Sequence, residues 1–351
     1  MRKIKKDLLG MTQDEVRQEI IGLGWKSFRS KQIFQWLYKG IKSFHDMSNL
    51  SINDRNQLNG LYQITRLILS RKQESKKDET VKFLAELADG EKIECVRMKY
   101  SHGNTACIST QVGCGMGCFF CASGKEGLKR NLSAGEMVDQ VLVIQKELGI
   151  RISHVVLMGS GEPLQNFSEV VKLIKILNDP DGLGISMRNI TLSTCGLSEK
   201  IMRLAEERFP INLAVSLHAA DDEKRREIMP YARNETVQSI VSACSKYSKE
   251  TGRRVTYEYV LISDLNDSDV DIRMLADLLK GHLCHVNLIP LNPVQGSSME
   301  SAGENKAHLF KEALKKRGIT ATIRRELGRD IDAACGQLKA KSTKAQKNSG
   351  S

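Results

Sequence analysis

From about residue 107 to residue 324, short apolar segments of strand length alternate with longer segments that have helical periodicity. Residues 154–158 and 212–217 are typical of the short kind, and residues 134–148 and 234–251 of the long kind. Strands that alternate with helices through short connections favour a parallel sheet with helices packed outside it. The pattern therefore predicts an α/β fold built as a (β/α) barrel, closed or partial. In either form, the loops that follow the strands make the functional site.

The regions on either side of this core differ in pattern. Residues 1–75 are predicted to form a small helical domain, because their apolar side chains recur at helical spacing. Its helices are expected to begin near Thr12, Phe28 and Asn53. Residues 76–100 are predicted to form a β-hairpin linker, since their period changes to two on either side of a turn. The core then spans residues 101–338, and residues 339–351 are expected to be a disordered basic tail because they contain few apolar residues.

The composition favours an anionic partner. The 351 residues include 53 Lys and Arg against 42 Asp and Glu, a formal net charge of +11, and nucleic acid is the commonest partner of such an excess. Part of this positive charge lies in the helical domain, where it fits either an RNA contact or a solvated face. The residues are Lys26, Arg29, Lys31, Lys39 and Lys42. No apolar run approaches the roughly 20 residues of a membrane span, and the N-terminus lacks the apolar core of a signal peptide. The sequence predicts a cytoplasmic protein with no membrane partner.

Three cysteines at positions i, i+4 and i+7 lie in a glycine-rich loop after the first core strand: Cys114, Cys118 and Cys121. Three thiolates from one loop can hold three irons of a [4Fe–4S] cluster, whose protein ligands are usually four cysteines. The missing fourth ligand leaves one iron open to a small molecule. A zinc site or buried structural cysteines are the alternatives, but zinc sites usually combine paired CxxC motifs and no second pair is present. The CxxxCxxC spacing resembles the signature of radical S-adenosylmethionine (SAM) enzymes.

Glycine and polar residues follow the later predicted strands. Gly161 would let the backbone approach a ligand closely, and Glu162 could accept from an ammonium group. On the same sheet edge as the cysteines, they make a plausible site for the amino-acid end of SAM. Hydrogen-bonding groups for its ribose and carboxylate could come from Ser193, Ser216, His218 and Asn292. His218 taken alone fits a structural histidine better.

Two more cysteines have a context that suggests reactivity. Cys335 follows the last strand among small residues, and Cys107 lies at the opening of the sheet, seven residues before the cysteine loop. If a barrel seam joined the first and last strands, the two thiols could meet, and a cytosolic disulfide is usually transient and catalytic. Buried apolar cysteines are the better interpretation of Cys95, Cys195, Cys244 and Cys284.

Six segments in combination resemble the bacterial dual-specificity RNA methyltransferases, and the resemblance covers nearly the whole chain. They are residues 112–124, 127–132, 161–164, 216–219, 285–290 and 330–338. The family methylates C2 of adenosine in 23S rRNA, at adenosine 2503 of the peptidyl-transferase centre, and at adenosine 37 of tRNAs. The resemblance implies a radical SAM partial (β/α) barrel of parallel strands with a small N-terminal helical domain that contacts RNA. One departure is Ser160, where the family commonly has an apolar residue.

The resemblance also assigns roles to residues. It implies a [4Fe–4S] cluster on Cys114, Cys118 and Cys121, and two molecules of SAM per turnover. SAM contacts are carried over to Gly161, Glu162, Ser193, Ser216, Leu217, His218 and Asn292. Cys335 matches the cysteine that becomes S-methylated, Cys107 matches its disulfide partner, and Glu94 matches the acid/base carboxylate. Without the resemblance, Glu94 would be expected to be an exposed strand residue. A monomer and a reducing electron donor such as flavodoxin are further expectations.

Two other functions compete with this interpretation. Related enzymes methylate adenine C8 and confer antibiotic resistance, but they often lack the proline found here at Pro163, which favours C2. An iron–sulfur RNA-binding sensor without turnover would bind RNA tightly and would leave Cys335 unexplained.

Overall fold

Fourteen strands and ten helices are present in the computed structural model, which describes residues 5–230, 234–292 and 299–338. The strands are β1 (Lys6–Asp7), β2 (Tyr62–Gln63), β3 (Ile68–Glu74), β4 (Val81–Glu86), β5 (Lys92–Tyr100), β6 (Gly103–Cys107), β7 (Gln111–Gly113), β8 (Leu128–Asn131), β9 (His154–Leu157), β10 (Ile190–Thr194), β11 (Asn212–Ser216), β12 (Val255–Leu261), β13 (Cys284–Pro290) and β14 (Ala321–Ile323). The helices are α1 (Gln13–Gly22), α2 (Phe28–Tyr38), α3 (Ile52–Leu61), α4 (Ala134–Leu148), α5 (Phe167–Asn178), α6 (Ser198–Glu206), α7 (Asp222–Ile228), α8 (Val237–Thr251), α9 (Asp269–Leu279) and α10 (Gly303–Lys316). The predicted tail, residues 339–351, lies outside the described residues.

Seven strands form the parallel half of a ten-stranded sheet, in the order β14, β13, β12, β11, β10, β9 and β6. Helices connect successive strands, as the sequence predicts. Within the described residues, the edge strand β14 pairs only with β13 and the opposite edge β3 only with β4, so the sheet stays open. Of the two forms that the pattern allows, the structure is the partial barrel.

Alternate side chains along the parallel strands face two different environments. Val215 of β11 and Val286 of β13 are fully buried in the main apolar core. Their neighbours in the sequence, Ser216 and Asn287, project from the other face because side chains alternate along a strand. Polar side chains therefore line the inner face of the partial barrel; Asn287 Nδ2, for example, donates to Glu258 Oε2 of β12 at 2.9 Å.

Helix α4 fixes the segment that leads to the cysteine loop. The helix begins at a capping box, in which Ser133 and Glu136 each accept the other's backbone N–H. Its buried Gln140 accepts from Ser109 N at 2.8 Å and donates to Ser109 O at 2.9 Å. The backbone just after β6 is thus hydrogen-bonded to a helix side chain, which orients the chain before it enters the loop.

The antiparallel half of the sheet differs from the sequence prediction. The hairpin forms, but β4 and β5 are continuous with the main sheet, and β3 (residues 68–74) extends it where helical structure was expected. Strand β3 lies at the edge and exposes most of its side chains, so its sequence lacks the apolar alternation of a half-buried strand. The first core strand is residues 103–107, so it ends at about the position where the sequence pattern predicts that it begins. The domain boundaries themselves stay a prediction.

A buried ion pair joins the N-terminal region to the core. Arg66 Nη1 lies 2.6 Å from Asp139 Oδ1 of α4, and Asp139 Oδ2 accepts from Leu67 N at 2.6 Å. Arg66 also donates to the carbonyl groups of Leu37 and Ile41. This one guanidinium therefore connects the end of α2, the loop before β3 and the first core helix. None of the described helices is long and apolar enough to cross a membrane.

We expect Asp139→Ala to lower the free energy of unfolding by about 3–5 kcal/mol, because it leaves the Arg66 guanidinium without its carboxylate in a buried place. Equilibrium unfolding in urea at neutral pH measures the change. The matched control is Asp14→Ala, which removes the exposed partner of Arg17 and should cost no more than about 1 kcal/mol. Equal losses in the two variants would contradict a linking role for the Arg66–Asp139 pair.

Candidate active site

A cavity of about 150 Å³ lies at the carboxyl ends of the parallel strands. It brings together nearly all the residues that the sequence predicts for cluster and SAM binding, together with the candidate reactive cysteine: Cys114, Cys118, Cys121, Gly161, Glu162, Ser193, Ser216, His218, Asn292 and Cys335. Leu217 is the exception, because its side chain is fully buried in the main core. Residues separated by more than 200 positions in the chain thus meet in one place.

Short antiparallel strands hold the cysteine loop. Strand β7 leads into it and β8 follows it, and Cys114 N donates to Gly127 O at 3.0 Å. Within the loop, Cys121 N donates to Cys118 O at 3.0 Å, which closes a tight turn. The next amide, Ala122 N, donates to Gly336 O at 2.7 Å and so connects the loop to the residue after Cys335.

The pKa values of the three loop thiols indicate that their thiolate forms need a positively charged partner. Burial raises the pKa of Cys114 to about 11, that of Cys118 well above its ordinary value, and that of Cys121 as well. The negative charges of the other loop cysteines raise the pKa of Cys114 and of Cys118 further. Iron binds the thiolate form. Three thiols whose ionisation is disfavoured, one of them buried and two partly buried, therefore fit a site that a cationic group completes.

The spacing of the ligands distinguishes a cluster from a single ion. Among the described residues, no group of three or more His, Cys, Asp or Glu converges as the ligands of one metal ion do. A cubane cluster has a different requirement, because each cysteine binds a separate iron. The three cysteines line one cavity, as the separate ligands of one cluster would.

Gly161 and Glu162 form a rigid rim of the cavity. Gly161 has φ +112°, and a Cβ there would lie 2.6 Å from Gln111 Cβ, so a larger residue would not fit. The carboxylate of Glu162 accepts from Leu164 N at 2.9 Å and from Cys195 N at 2.7 Å. Burial raises the pKa of Glu162, and these backbone donors oppose the rise. Both oxygens are thus held in place, and an ammonium group would use their remaining lone pairs.

His218 is a neutral, fixed donor. Its backbone has φ +60°, and its Nδ1 accepts from Val260 N at 3.1 Å. Burial lowers the pKa of His218 to about 3, so the ring is uncharged at neutral pH and its proton is on Nε2. The ring of Phe120 packs edge-on against the imidazole, with 4.8 Å between centroids. His218 therefore has the structural role expected for it when it is considered alone, and it also lines the cavity.

Asn292 offers an unused hydrogen-bond acceptor. Its Nδ2 donates to Cys335 O at 3.2 Å. Its Oδ1 is buried and has no hydrogen-bond partner in the described part of the chain. A buried acceptor without a partner is costly, so a donor on a bound molecule would complete it.

The two candidate reactive cysteines share a second, smaller cavity of about 40 Å³. Cys335 lines both cavities, and Cys107 lines only the second one. A seam between the first and last strands does not bring the two cysteines together, because β6 and β14 lie far apart in an open sheet. Instead, the segment after β14 folds back over β5 and β6, where Ala333 and Leu338 pack with Val96 and Cys107. Both thiols are free.

Glu94 lies on the same face of β5 as Val96, which packs against this returning segment. It lines neither cavity, but it is buried, and its Oε1 lies 3.3 Å from Lys82 Nζ. The expectation of an exposed strand residue, drawn from alternation alone, is therefore wrong. The family resemblance was the only signal that singled Glu94 out.

Two residues at the site were not predicted. Arg324 lines both cavities, and its Nη1 lies 3.6 Å from Glu258 Oε2 of β12. The charge of Cys335 is the main cause that raises the pKa of Arg324. Glu258 is buried in the apolar strand of residues 255–261. A carboxylate inside such an apolar strand indicates a buried functional group. The sequence of residues 255–261 therefore contains a signal for Glu258.

Known proteins match both parts of the chain. A family described as the radical SAM superfamily matches residues 108–276, and one described as the ribosomal RNA large subunit methyltransferase N-terminal domain matches residues 6–64. Proteins named probable dual-specificity RNA methyltransferase RlmN are 52% identical over 337 residues in Alkaliphilus oremlandii (96% of this chain, 98% of the relative) and 49% identical over 336 residues in Desulforamulus reducens (95% and 96%).

A solved structure is also similar over the full length. The radical SAM methyltransferase from Sphaerobacter thermophilus is 42% identical and has a TM-score of 0.91, over 96% of this chain and 100% of that one. The predicted fold class, a radical SAM partial barrel with a small N-terminal helical domain, is confirmed.

We expect Cys118→Ser to prevent assembly of a stable cluster, because only two of the three loop thiolates would remain. After anaerobic reconstitution with iron and sulfide, the iron content should fall from about four per chain to less than about one. Cys284→Ser is the matched control, since Cys284 is a partly buried thiol at the start of β13 and lines neither cavity. Full iron loading of Cys118→Ser would show that the loop does not supply the ligands.

Proposed function

The chain belongs to the dual-specificity RNA methyltransferase family RlmN, and we propose that it methylates C2 of adenosine in RNA through an S-methylcysteine on Cys335. The substrates would be adenosine 2503 of 23S rRNA and adenosine 37 of tRNAs. The single observation that carries the proposal is the position of Cys335. It lines the same cavity as the three loop cysteines and the Gly161–Glu162 rim, and it shares a second cavity with Cys107.

The first cavity would hold both cofactors. Cys114, Cys118 and Cys121 would hold a [4Fe–4S] cluster, which when bound would supply the electron for reductive cleavage of SAM. The chain would bind and orient SAM next to it. Glu162 would meet the ammonium group of SAM, and the unpartnered Oδ1 of Asn292 would accept from a SAM donor. His218 would donate from Nε2, while Ser193 and Ser216 supply hydroxyl groups to the same cavity.

Cys335 solves a chemical problem of the substrate. Adenine C2 is electron-poor and has no lone pair, so it cannot attack the methyl group of a sulfonium ion. The thiolate of Cys335 can: its sulfur bonds to the methyl carbon of a first SAM as the methyl–sulfonium bond breaks. A radical derived from a second SAM would then take a hydrogen atom from the S-methyl group, the carbon would bond to C2, and the unpaired electron left on the ring would return to the oxidised cluster. Two molecules of SAM are used per turnover, and covalent catalysis divides one difficult transfer into feasible steps.

Arg324 supports the first of these steps. Its guanidinium lines both cavities with Cys335 and is anchored by Glu258. A nearby cation favours the thiolate, which is the nucleophilic form of a cysteine. Arg324 would therefore place a positive charge near the Cys335 sulfur, the atom that attacks the methyl group.

Cys107 and Glu94 would complete the reaction. Glu94 would accept the C2 proton. The Cys107 sulfur would then attack the Cys335 sulfur as the bond from Cys335 sulfur to the methylene carbon breaks. That carbon would keep the electron pair and take a proton, so that a disulfide forms and the methylated base is released. Burial raises the pKa of Cys107 to about 12, and the charge of Cys335 contributes to the rise. Methylation of Cys335 removes that charge. Cys107 would thus ionise more readily once Cys335 is methylated, which is the stage at which its sulfur acts as the nucleophile.

RNA recognition and electron supply are parts of the same proposal. An adenine must leave its stack to reach Cys335, and the net charge of +11 favours binding of the RNA backbone. The N-terminal helical domain would supply part of this contact. We expect the protein to act as a monomer in the cytoplasm, where a reducing donor such as flavodoxin would supply the electrons.

The site also bears on the two rival functions. Pro163 is buried directly after Glu162, at the start of a 3₁₀ turn, and its presence favours C2 over C8. Digestion of the RNA product to nucleosides distinguishes the two, since 2-methyladenosine is expected and 8-methyladenosine would overturn the assignment. A sensor without turnover has no use for a cysteine placed between two cavities, and it would not cleave SAM when reduced in the absence of oxygen.

The proposal predicts S-methylation of Cys335 in protein freshly isolated from cells that supply iron, sulfide and SAM. Trypsin should release residues 330–339, which contain this one cysteine. Mass spectrometry of the peptide should show one added methyl or methylene-derived group. Cys244→Ser is a matched control that keeps Cys335 and should keep the added group, whereas Cys335→Ser should lack the group and all methyl transfer to RNA.

The same measurement can reject the mechanism. If cluster-replete, SAM-exposed protein has Cys335 only as the free thiol, the chain catalyses a different radical SAM reaction. The roles given to Cys107 and Glu94 would then be withdrawn.

A further inference from the structure

A buried lysine lies beside Glu94. Lys82 of β4 and Glu94 of β5 expose only 7% and 8% of their side chains, and Lys82 Nζ lies 3.3 Å from Glu94 Oε1. Lys82 pairs with Val96, and Val96 pairs with Cys107, so the three side chains project from one face of the sheet. This is the face on which the segment that carries Cys335 packs.

The same ammonium group binds that segment directly. Lys82 Nζ donates to the carbonyl oxygen of Asp332 at 3.1 Å. Asp332 has φ +51°, an uncommon conformation for a residue other than glycine, and it lies three residues before Cys335. The ammonium group therefore bridges Glu94 and the backbone of the returning segment.

The backbone of Glu94 is tied to the opposite side of the site. Ser109 Oγ donates to Glu94 O at 2.7 Å and accepts from Ser160 N at 3.0 Å. Ser160 directly precedes Gly161 on the cavity rim. Glu94 is thus fixed by its backbone to the proposed SAM site and by its side chain to Lys82.

We propose that Lys82 is a positioning residue that keeps Glu94 as the carboxylate and holds it next to the docked Cys335 segment. The inference rests on the proposed function, because it concerns the step in which Glu94 accepts the C2 proton. In that step the C2–H bond breaks, its electron pair stays with the adenine ring, and the proton goes to a Glu94 oxygen.

The physical reason is the cost of a buried charge. Burial disfavours an ionised carboxylate, and a cation within about 4–6 Å favours it. Within the part of the chain that the structure describes, the groups that face Glu94 include Lys82 on β4, Cys107 diagonally across on β6, and the backbone of Asp332. Cys95 lies on the other face of its own strand, and Lys92 on that strand pairs with Glu86. Of these, Lys82 is the cation in contact with Glu94.

Lys82→Met tests the proposal, because it keeps the length of the side chain and removes the charge. S-methylation of Cys335 should be unchanged, since this step precedes any use of Glu94. Formation of methylated adenosine at pH 7 should fall about 100-fold, a typical contribution of a general base. A covalent protein–RNA complex should accumulate on denaturing gels. The rate should recover as the pH rises, because a carboxyl group without its cation ionises only at higher pH.

Two further variants complete the test. Lys82→Arg keeps a cation and should restore most of the rate and the pH profile of the unmodified protein. Lys99→Met is the matched control, since Lys99 lies on the opposite face of β5 in an exposed pair with Glu79, and it should leave both unchanged.

The inference is overturned if Lys82→Met forms product with the rate and pH profile of the unmodified protein. It is also overturned if Lys82→Met loses Cys335 methylation, because Lys82 would then only maintain the structure. Failure of the proposed function is visible separately, as an unmodified Cys335 in the chain that carries no substitution.

Discussion

The return of residues 324–338 across the open side of the sheet is the constraint on which the site depends. The segment is held at both ends of its path. Asp330 accepts from Ser75 and Lys76 near the antiparallel strands, while Ser123 Oγ donates to Leu338 O at 2.7 Å beside the cysteine loop. The first anchor uses a carboxylate and the second a backbone carbonyl, so the path is specified by directional hydrogen bonds as well as by apolar packing. Without this path, Cys335 would reach neither cavity.

Close packing at one glycine sets the final position of Cys335. Gly336 has φ +82°, and a Cβ there would lie 2.9 Å from Phe120 O of the cysteine loop. The backbone on either side of it is fixed, since Gly336 O accepts from Ala122 N and Cys335 O accepts from Asn292. The thiol thus belongs to a segment whose backbone contacts the proposed cluster loop and a proposed SAM contact at once. A reactive side chain on a fixed backbone, between two cavities, can serve two successive steps with a small change of side-chain position.

The sequence predicts those parts of the fold and site that depend on residues close together in the chain. The alternation of strands and helices predicted the parallel sheet, and the spacing of Cys114, Cys118 and Cys121 predicted a shared site, because both depend on residues close together in the chain. It did not recover β3, an edge strand whose exposed side chains carry little apolar signal. It brought Cys107 and Cys335 together for the wrong reason, since a seam between strands was expected and a returning segment does it. Lys82 and Arg324 were missed altogether: their partners, Glu94 and Glu258, lie on other strands, and only the register of the sheet places them together.

Two ion pairs lie along the returning segment. Lys82–Glu94 is buried and faces it, and Arg324–Glu258 is mostly buried and contains its first residue. Lys82–Glu94 belongs to the antiparallel half, and Arg324–Glu258 belongs to the parallel half. Buried ion pairs contribute little net stability, because the cost of removing two charges from water offsets their attraction. Stability is therefore a poor explanation for two such pairs beside one segment. The proposed chemistry explains their positions better: Arg324 lies near the proposed nucleophile Cys335, and Lys82 lies beside Glu94, the proposed proton acceptor. The open sheet makes this possible, because its two halves can each present a charged pair to a segment that a closed barrel would exclude.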